Sequence, residues 1–452
     1  MRVLFAAHQF FPEHRAGTET LTLGLARALR ERGHEPAVFA AKRSAPAGDI
    51  EPDEVRDYEF GGIPVRRAGR PRESAARSYR LNYDNPRMAA HLAEYLQRFA
   101  PDVVHFTHLQ GLSASAIPVV KAAGLPAVYT ATDFWTICPV VDLLRHDGAL
   151  CTGPDDAHCP RCVASRQPAS RVAGAVRRTP GPVLRAATAL SRAPLAAPQQ
   201  LGQLRDLSER PEHIRERVNS LDRILAPTRL MRELLVRNGV REDLIRISRY
   251  GLDTSGLGAA REREGAGVRF GFIGTLGPHK GPDLLLRAFR RLPPGLDASL
   301  AVHGEPGGFE GFAGELHRVA AGDERITLPG PFPPERLGEV LSGLDALVVP
   351  SRWYENAPLV AYSALAAGVP VVATDVGGLS EVVEHGKNGL LFPLDDEAGL
   401  ARCLERLAGE PGLLARLRAG IEPVKTLSES AEELESLYNG LLGISGVERS
   451  GR

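Results

Sequence analysis

Residues 2–41 read RVLFAAHQFFPEHRAGTETLTLGLARALRERGHEPAVFAA. Val3 to Ala7 is an apolar run of strand length, and Thr18 to Arg32 carries Leu21, Leu25, Ala28 and Leu29 at helical spacing. Gly33 supplies a C-terminal stop, and Ala37 to Ala41 is a second apolar run. Strand, helix, strand in this order predicts a parallel βαβ start and an α/β fold.

The same rhythm runs outward from there. Val103 to Phe106, a helical stretch from Ser113 to Ala123 and Ala127 to Thr130 continue it, and a cysteine-bearing loop and an Ala/Pro/Arg-rich segment interrupt it. It resumes at Asp222 to Ala226, with a helix over Thr228 to Asn238 and a strand near Ile245. TSGLGAAREREGAG, 254–267, is small, charged and aperiodic, as a linker would be. Then βα units restart: Arg269 to Ile273, a helix with Leu285, Ala288, Phe289 and Leu292, then strands Ser299 to Val302, Leu347 to Val349 and Val371 to Thr374. The reading is a doubly built α/β chain, with a first domain over 1–253 and a second over 268–425. A helix over 426–445 returns to the first domain. Two such domains expect a cleft between the carboxyl ends of their sheets.

At 452 residues, two domains fit the length, and 43% hydrophobic with 24% charged residues excludes wholesale disorder. Basic and acidic residues balance at 55 each, so no nucleic-acid partner is indicated. No uncharged run is long enough to span a bilayer, and the N-terminus lacks signal-peptide features, so a cytoplasmic protein is expected.

A dinucleotide fingerprint needs three glycines after the first strand. Only Gly17 lies between Ala7 and Leu21, which argues against a nicotinamide enzyme. Gly17 is either a plain turn glycine or a point where a ligand approaches a helix N-terminus. The loop Gly274-Thr275-Leu276-Gly277-Pro278-His279-Lys280-Gly281 joins a strand to a helix, so its amides can face an anion. Lysine occurs five times among the 55 basic residues, which favours a positional demand for Lys280 on a diphosphate over a solvated turn lysine. In PSRWYENAPLV, 350–360, Pro358 fits the first turn of a helix reaching Ala367, with Gly368 as its stop. Glu355 just before it either accepts sugar hydroxyls or complements the helix dipole.

FPEHRAGTET (11–20), GPHKG (277–281) and PSRWYENAPLVAYSALAAGVPVVATDVGGLSEVVEHGKNGLLF (350–392) together resemble the retaining family 4 glycosyltransferases. The resemblance implies a GT-B fold of two Rossmann-like domains and transfer of a sugar from a nucleotide-diphosphate donor to a saccharide, lipid-linked or small-molecule acceptor. It implies Gly17 near the donor phosphate or transferred sugar, Lys280 on the diphosphate and Glu355 on the sugar. It also implies that Asn356, Ala357, Pro358, Leu359 and Val360 hold the sugar and distal phosphate. Ser363 stands where the family has a second glutamate for the ribose, Thr275 where it has an arginine, and Thr132 where it has the histidine before Asp133 on the acceptor side. These departures leave a non-catalytic nucleotide-sugar-binding or scaffolding subunit as the alternative. A GT-B epimerase or phosphorylase would need a phosphate-activated step or a cofactor lysine, for which no residues stand out.

No Asp-x-Asp pair occurs, so the chemistry expects no metal and no cofactor; lysine and helix termini can neutralise the leaving group. Cys138, Cys151, Cys159 and Cys162 are spaced C-x12-C-x7-C-x2-C. They are either a structural Zn²⁺ site, with His146 and His158 as substitute ligands, or four reduced, buried cysteines. Cys403 belongs to a helical core. Within the basic insertion, 157–217, residues 157–205 hold eight arginines and no acid, interleaved with apolar residues. That segment is either an element docking on an anionic membrane or a linker or helical cover.

Overall fold

The structure is a computed structural model that describes residues 1–42, 54–69, 78–167, 170–192, 199–258 and 267–444. Within these it forms two compact units. The first comprises Met1–Gly251 and the helix Leu427–Leu441; the second is Leu252–Thr426.

The strands of the first unit are β1 (Arg2–Ala7), β2 (Glu35–Lys42), β3 (Val55–Phe60), β4 (Ile63–Gly69), β5 (Val103–Phe106), β6 (Ala127–Thr130), β7 (Arg223–Ala226) and β8 (Ile245–Ile247). Their order is β3-β4-β2-β1-β5-β6-β7-β8, and every neighbouring pair is parallel except β3 with β4. Strand β1 thus lies where the chain order reverses, between β2 and β5. The helix Gly17–Glu31 buries Leu21, Leu25, Ala28 and Leu29 in the core over this sheet. Gly33 ends the helical stretch at φ +86, where a side chain would be strained. The β3–β4 hairpin was absent from the sequence expectation, because VRDYEF presents few apolar residues to read. The signal was the pair Gly61-Gly62, both at positive φ, as a tight hairpin turn requires.

The C-terminal helix packs on Gly17–Glu31, where Leu427 lies so close to Gly24 that an added Cβ would sit 2.6 Å from it. Tyr438, fully buried, places its hydroxyl 2.5 Å from His105 Nδ1 on β5.

In its described residues the Ala/Pro/Arg-rich segment is helical. Its described part is four helices, Cys159–Arg166, Arg171–Arg178, Gly181–Ser191 and Gln199–Val218. Ser170 caps the second, and Pro180 and Pro182 flank the start of the third.

In the second unit β9 (Val268–Ile273), β10 (Ala298–His303), β11 (Ile326–Thr327), β12 (Ala346–Val349), β13 (Val371–Thr374) and β14 (Gly389–Phe392) form an all-parallel sheet, ordered β11-β10-β9-β12-β13-β14. Its strands are short apolar runs, as expected of a sheet covered on both faces. Cys403 is buried in the helix Glu397–Gly409, in the core. The expected linker 254–267 does not divide the units: Leu252 bridges to Thr426, and Gly256 lies against Gly338, both within the second unit. Residues 259–266 lie outside the described residues. No helix among the described residues is long and apolar enough to cross a membrane.

Candidate functional site

In the second unit the chain order reverses at β9, between β10 and β12, and the loops leaving these three strands converge at their carboxyl ends. The loop after β9 runs to the short turn Pro278–Lys280 and into the helix Pro282–Arg290. Gly281, at φ +70, makes the junction, and its Cα faces the Pro350 carbonyl so closely that an added Cβ would lie 2.1 Å from that oxygen. The loop after β12, Pro350–Pro358, lies alongside.

Lys280 and Glu355, 75 residues apart, meet here. Lys280 Nζ donates to Glu355 Oε1 at 2.7 Å, as do Ser351 Oγ at 2.7 Å and Trp353 Nε1 at 2.8 Å. Burial pushes the Glu355 carboxyl up, but the Lys280 charge and these three donors outweigh it and hold the group below its ordinary value, so it is ionised at neutral pH. Lys280 also lies 5.0 Å from the centre of the Trp353 ring, and His279 packs on the same ring at 4.5 Å.

Arg352 fastens the two loops to each other. Its guanidinium holds both oxygens of Asp283, at 2.6 and 2.9 Å, its Nε reaches Asp395, and its amide donates to the His279 carbonyl at 2.8 Å. Burial raises the Asp283 carboxyl and the Arg352 contacts more than reverse this, so it too stays ionised. The sequence reading missed Arg352 and Asp283; an arginine between Ser351 and Trp353 carried no periodic signal.

Pro358 stands one residue before the helix Leu359–Ala366, not within its first turn. The first amides of that helix, Leu359 and Val360, have no acceptor inside it. Asn356 is buried beside Glu355. Behind them Gly378 donates its amide to the Glu355 carbonyl at 2.8 Å, and a Cβ there would meet the Asn356 carbonyl oxygen at 2.0 Å. Ser363 is buried in the helix with its hydroxyl proton donated to Leu359 O at 2.9 Å, so it does not present a donor to a ribose. Thr275 lies in the β9 loop against Gly307, whose added Cβ would be 2.7 Å from its methyl.

The first unit gathers a second set at the ends of β1, β5 and β6. Gly17 is the first residue of its helix, after Ala16. Thr132 donates to Thr107 O at 2.6 Å and is not a partner of Asp133. Asp133 pairs instead with Nε2 of His108, a residue from the neighbouring β5 loop. His108 stacks on His8, ring centres 3.9 Å apart, and His8 Nε2 lies 3.4 Å from the fully buried Glu19. Asp133 thus meets a histidine from the loop after β5 and not from position 132. The sequence reading missed His8, His108 and Glu19, because only the sheet order brings them together.

Cys138, Cys151, Cys159 and Cys162 are free thiols lining one cavity with His158. His146 lies on the exposed side of the same loop, with Asp147 and His158. The eight arginines are mostly committed: Arg166, Arg185, Arg192 and Arg205 pair with Asp142, Asp155, Asp156 and Glu209, and Arg161 bonds Thr179 O. Arg171, Arg177 and Arg178 remain on the surface, with Val172, Val183 and Leu190 exposed nearby.

Residues 15–146 match the model of Glycosyltransferase Family 4, and residues 267–410 that of Glycosyl transferases group 1. Curated relatives include D-inositol 3-phosphate glycosyltransferases from Acidothermus cellulolyticus and Streptomyces bingchenggensis. Each is 34% identical, over 46% and 45% of this chain and 52% and 49% of the relative. The chain spans about half the length of the curated relatives it matches. Among solved structures, sucrose-phosphate synthase from Thermosynechococcus elongatus aligns over 98% of this chain and 100% of its own, at TM-score 0.65 and 18% identity. Anabaena HepE in complex with UDP and glucose aligns over 96% and 98%, at 0.61 and 15%. Catalytic-domain starch synthase IV from Arabidopsis thaliana, bound to ADP and acarbose, aligns over 98% and 99%, at 0.61 and 16%. The fold they share with this chain is GT-B.

Proposed function

Because the chain belongs to the group 1, family 4 glycosyltransferases, we propose that it moves a sugar from a nucleotide-diphosphate donor to an acceptor with retention at the anomeric carbon. The observation that carries this reading is the Lys280–Glu355 pair at 2.7 Å, set beside the start of the helix Leu359–Ala366. A partly buried ion pair whose two members suit different parts of one ligand is a binding device. The diphosphate draws Lys280 and the free helix amides, while the sugar's hydroxyls donate to Glu355 in place of the lysine. UDP and ADP in the structural neighbours support a donor of this class.

As the bond to the diphosphate breaks, negative charge grows on the leaving oxygen. Lys280 and the amides of Leu359 and Val360 stabilise that charge without reorganising. The leaving diphosphate takes the acceptor's proton on the same face of the sugar, so retention follows without a protein nucleophile. Thr132, Asp133 and His108 are assigned to the acceptor, a saccharide, a lipid-linked sugar or a small molecule. Arg171, Arg177 and Arg178 with Val172, Val183 and Leu190 support peripheral contact with an anionic membrane on the cytoplasmic side.

The test is release of nucleoside diphosphate from a panel of UDP-, ADP- and GDP-sugars, with and without acceptors. Lys280→Ala is expected to cut turnover by roughly 10²–10³-fold. Glu355→Gln is expected to impair the sugar-dependent step while sparing nucleoside diphosphate binding. Turnover untouched by both variants would move the site elsewhere. Donor binding without turnover across the panel would make the chain a binding or scaffolding subunit.

A further inference from the structure

Arg210 is an arginine 1% exposed in the first unit, on the helix Gln199–Val218. Its guanidinium donates to the Trp135 carbonyl and lies 4.9 Å from the centre of the Trp135 ring, and its second terminal nitrogen has no hydrogen-bond partner. Among the described residues no carboxylate forms an ion pair with it. A fully buried cation without an anion is costly, by several kcal/mol on the order expected for an unpaired ion. Its electrostatic neighbours able to carry negative charge are Tyr79, Tyr83, Cys138 and Cys159. The two phenols are excluded as anions, because each donates its proton: Tyr79 to Pro139 O at 3.4 Å and Tyr83 to Asp206 O at 2.6 Å. Cys138 and Cys159 remain, as thiols that only a bound metal would turn into anions, since burial raises both.

The cysteines are gathered in one part of the first unit. Cys138, Cys151, Cys159 and Cys162 line one cavity. The amide of Asp155 donates to Cys159 sulfur and that of His146 to Cys162 sulfur, each at 3.3 Å, while the Cys151 thiol, with no metal bound, donates to the Gly153 carbonyl at 3.1 Å. Amide donors aimed at sulfur favour the thiolate over the thiol, which is a weak acceptor. Cys159 and Cys162 are three apart on the helix Cys159–Arg166 and so share a face. A hairpin bridged at Leu144 and Leu150 returns the chain so that Cys151 faces the same cavity. As thiols the sulfurs are not drawn together: among the described residues the ligand group already within 4.8 Å is His146, Asp147 and His158, which lies mostly at the surface.

We propose that Cys138, Cys151, Cys159 and Cys162 bind one Zn²⁺ as four thiolates, and that Arg210 is the buried counter-charge of the resulting dianionic centre. Binding releases the four thiol protons to solvent and turns the side chains onto the ion. Four thiolates and one Zn²⁺ leave a net charge of about −2, which a single buried guanidinium halves. The centre ties the loop after Asp133 to the helix carrying Arg210. It is structural, with four protein ligands and no open position.

The decisive measurement is the zinc content of freshly purified full-length protein. About one zinc per chain is expected, lost in Cys159→Ser and in Cys151→Ser and kept in Cys403→Ser, whose thiol lies in the second unit. His146→Ala and His158→Ala are expected to keep the metal; zinc lost from these but held by Cys151→Ser overturns the four-thiolate assignment. Arg210→Met is expected to weaken zinc binding roughly 10–100-fold in a competitive chelator titration, as loss of a group supporting metal ligands does. Unchanged affinity would remove Arg210 from the proposal. If the cysteine variants do not fold, the wild type decides. Cobalt added to metal-depleted protein should give an intense thiolate-to-cobalt absorption, and a protein that contains no zinc and takes up no cobalt overturns the site.

Discussion

Arg352 holds Asp283 through two contacts, 2.6 and 2.9 Å, from a loop that follows one strand to a helix that follows another. Lys280 stands three residues before Asp283 and Glu355 three residues after Arg352. The ion pair therefore sets the separation of the two side chains assigned to the donor.

Arg352→Ala is expected to lower turnover by roughly 10²-fold, the scale on which a misplacement of about 1 Å acts. Arg352→Lys is expected to recover little, since one ammonium cannot make both contacts. The double variant Arg352→Ala/Asp283→Ala should be scarcely worse than either single one. Fully additive losses would mean that the two act separately.

Gly378 gives a backbone test of the same loop. Its φ is not positive, so strain is not the issue; space is. A Cβ at Gly378 would meet two carbonyl oxygens, of Asn356 at 2.0 Å and Glu355 at 2.5 Å, and backbone cannot yield as a side-chain tip can. Gly378→Ala is expected to cost about 1–3 kcal/mol in stability and to displace Glu355. Denaturant melts paired with donor turnover check it; a variant with wild-type turnover would show that the loop adapts.

His105 makes the first unit sensitive to acid. It is fully buried between Tyr438 Oη at 2.5 Å and Thr130 Oγ1 at 2.7 Å, and desolvation drives its ring down to about 3 from 6.5. Below pH 6.5 the unfolded chain takes up a proton that the folded chain refuses. Its contribution is therefore complete above 6.5 and is lost as pH falls toward about 3. His34 and His213 shift in the same direction, chiefly through burial, and add to the slope. His105→Gln should flatten the fall in Tm between pH 6.5 and 4; a slope equal to wild type would clear His105 of the effect.

Membrane contact rests on three arginines. Vesicles of phosphatidylcholine with phosphatidylserine are expected to bind the protein at low salt, with affinity falling steeply as salt rises. Arg177→Gln/Arg178→Gln should weaken binding and leave donor turnover unchanged. A wild type that ignores these vesicles at low salt would make Arg171–Arg178 an ordinary helical cover.

Hydrophobic patterning along the chain was enough for the α/β class and most strands of both sheets, because a strand buried in a parallel sheet is a short apolar run followed by a helical period. The sequence also singled out Lys280 and Glu355, since a rare lysine and a carboxylate each sat where a strand hands over to a helix. Strand order was beyond it. Placing β1 beside β5, and β9 beside both β10 and β12, depends on which apolar faces pack together, and a local period carries no record of that. So His108 reached Asp133, and Arg352 reached Asp283, only in the tertiary structure. The basic segment shows the same limit: its arginines form an unbroken cationic run along the chain, yet Asp142, Asp155 and Asp156 fold back onto three of them. A charge is read one residue at a time, whereas its partner is chosen by the fold.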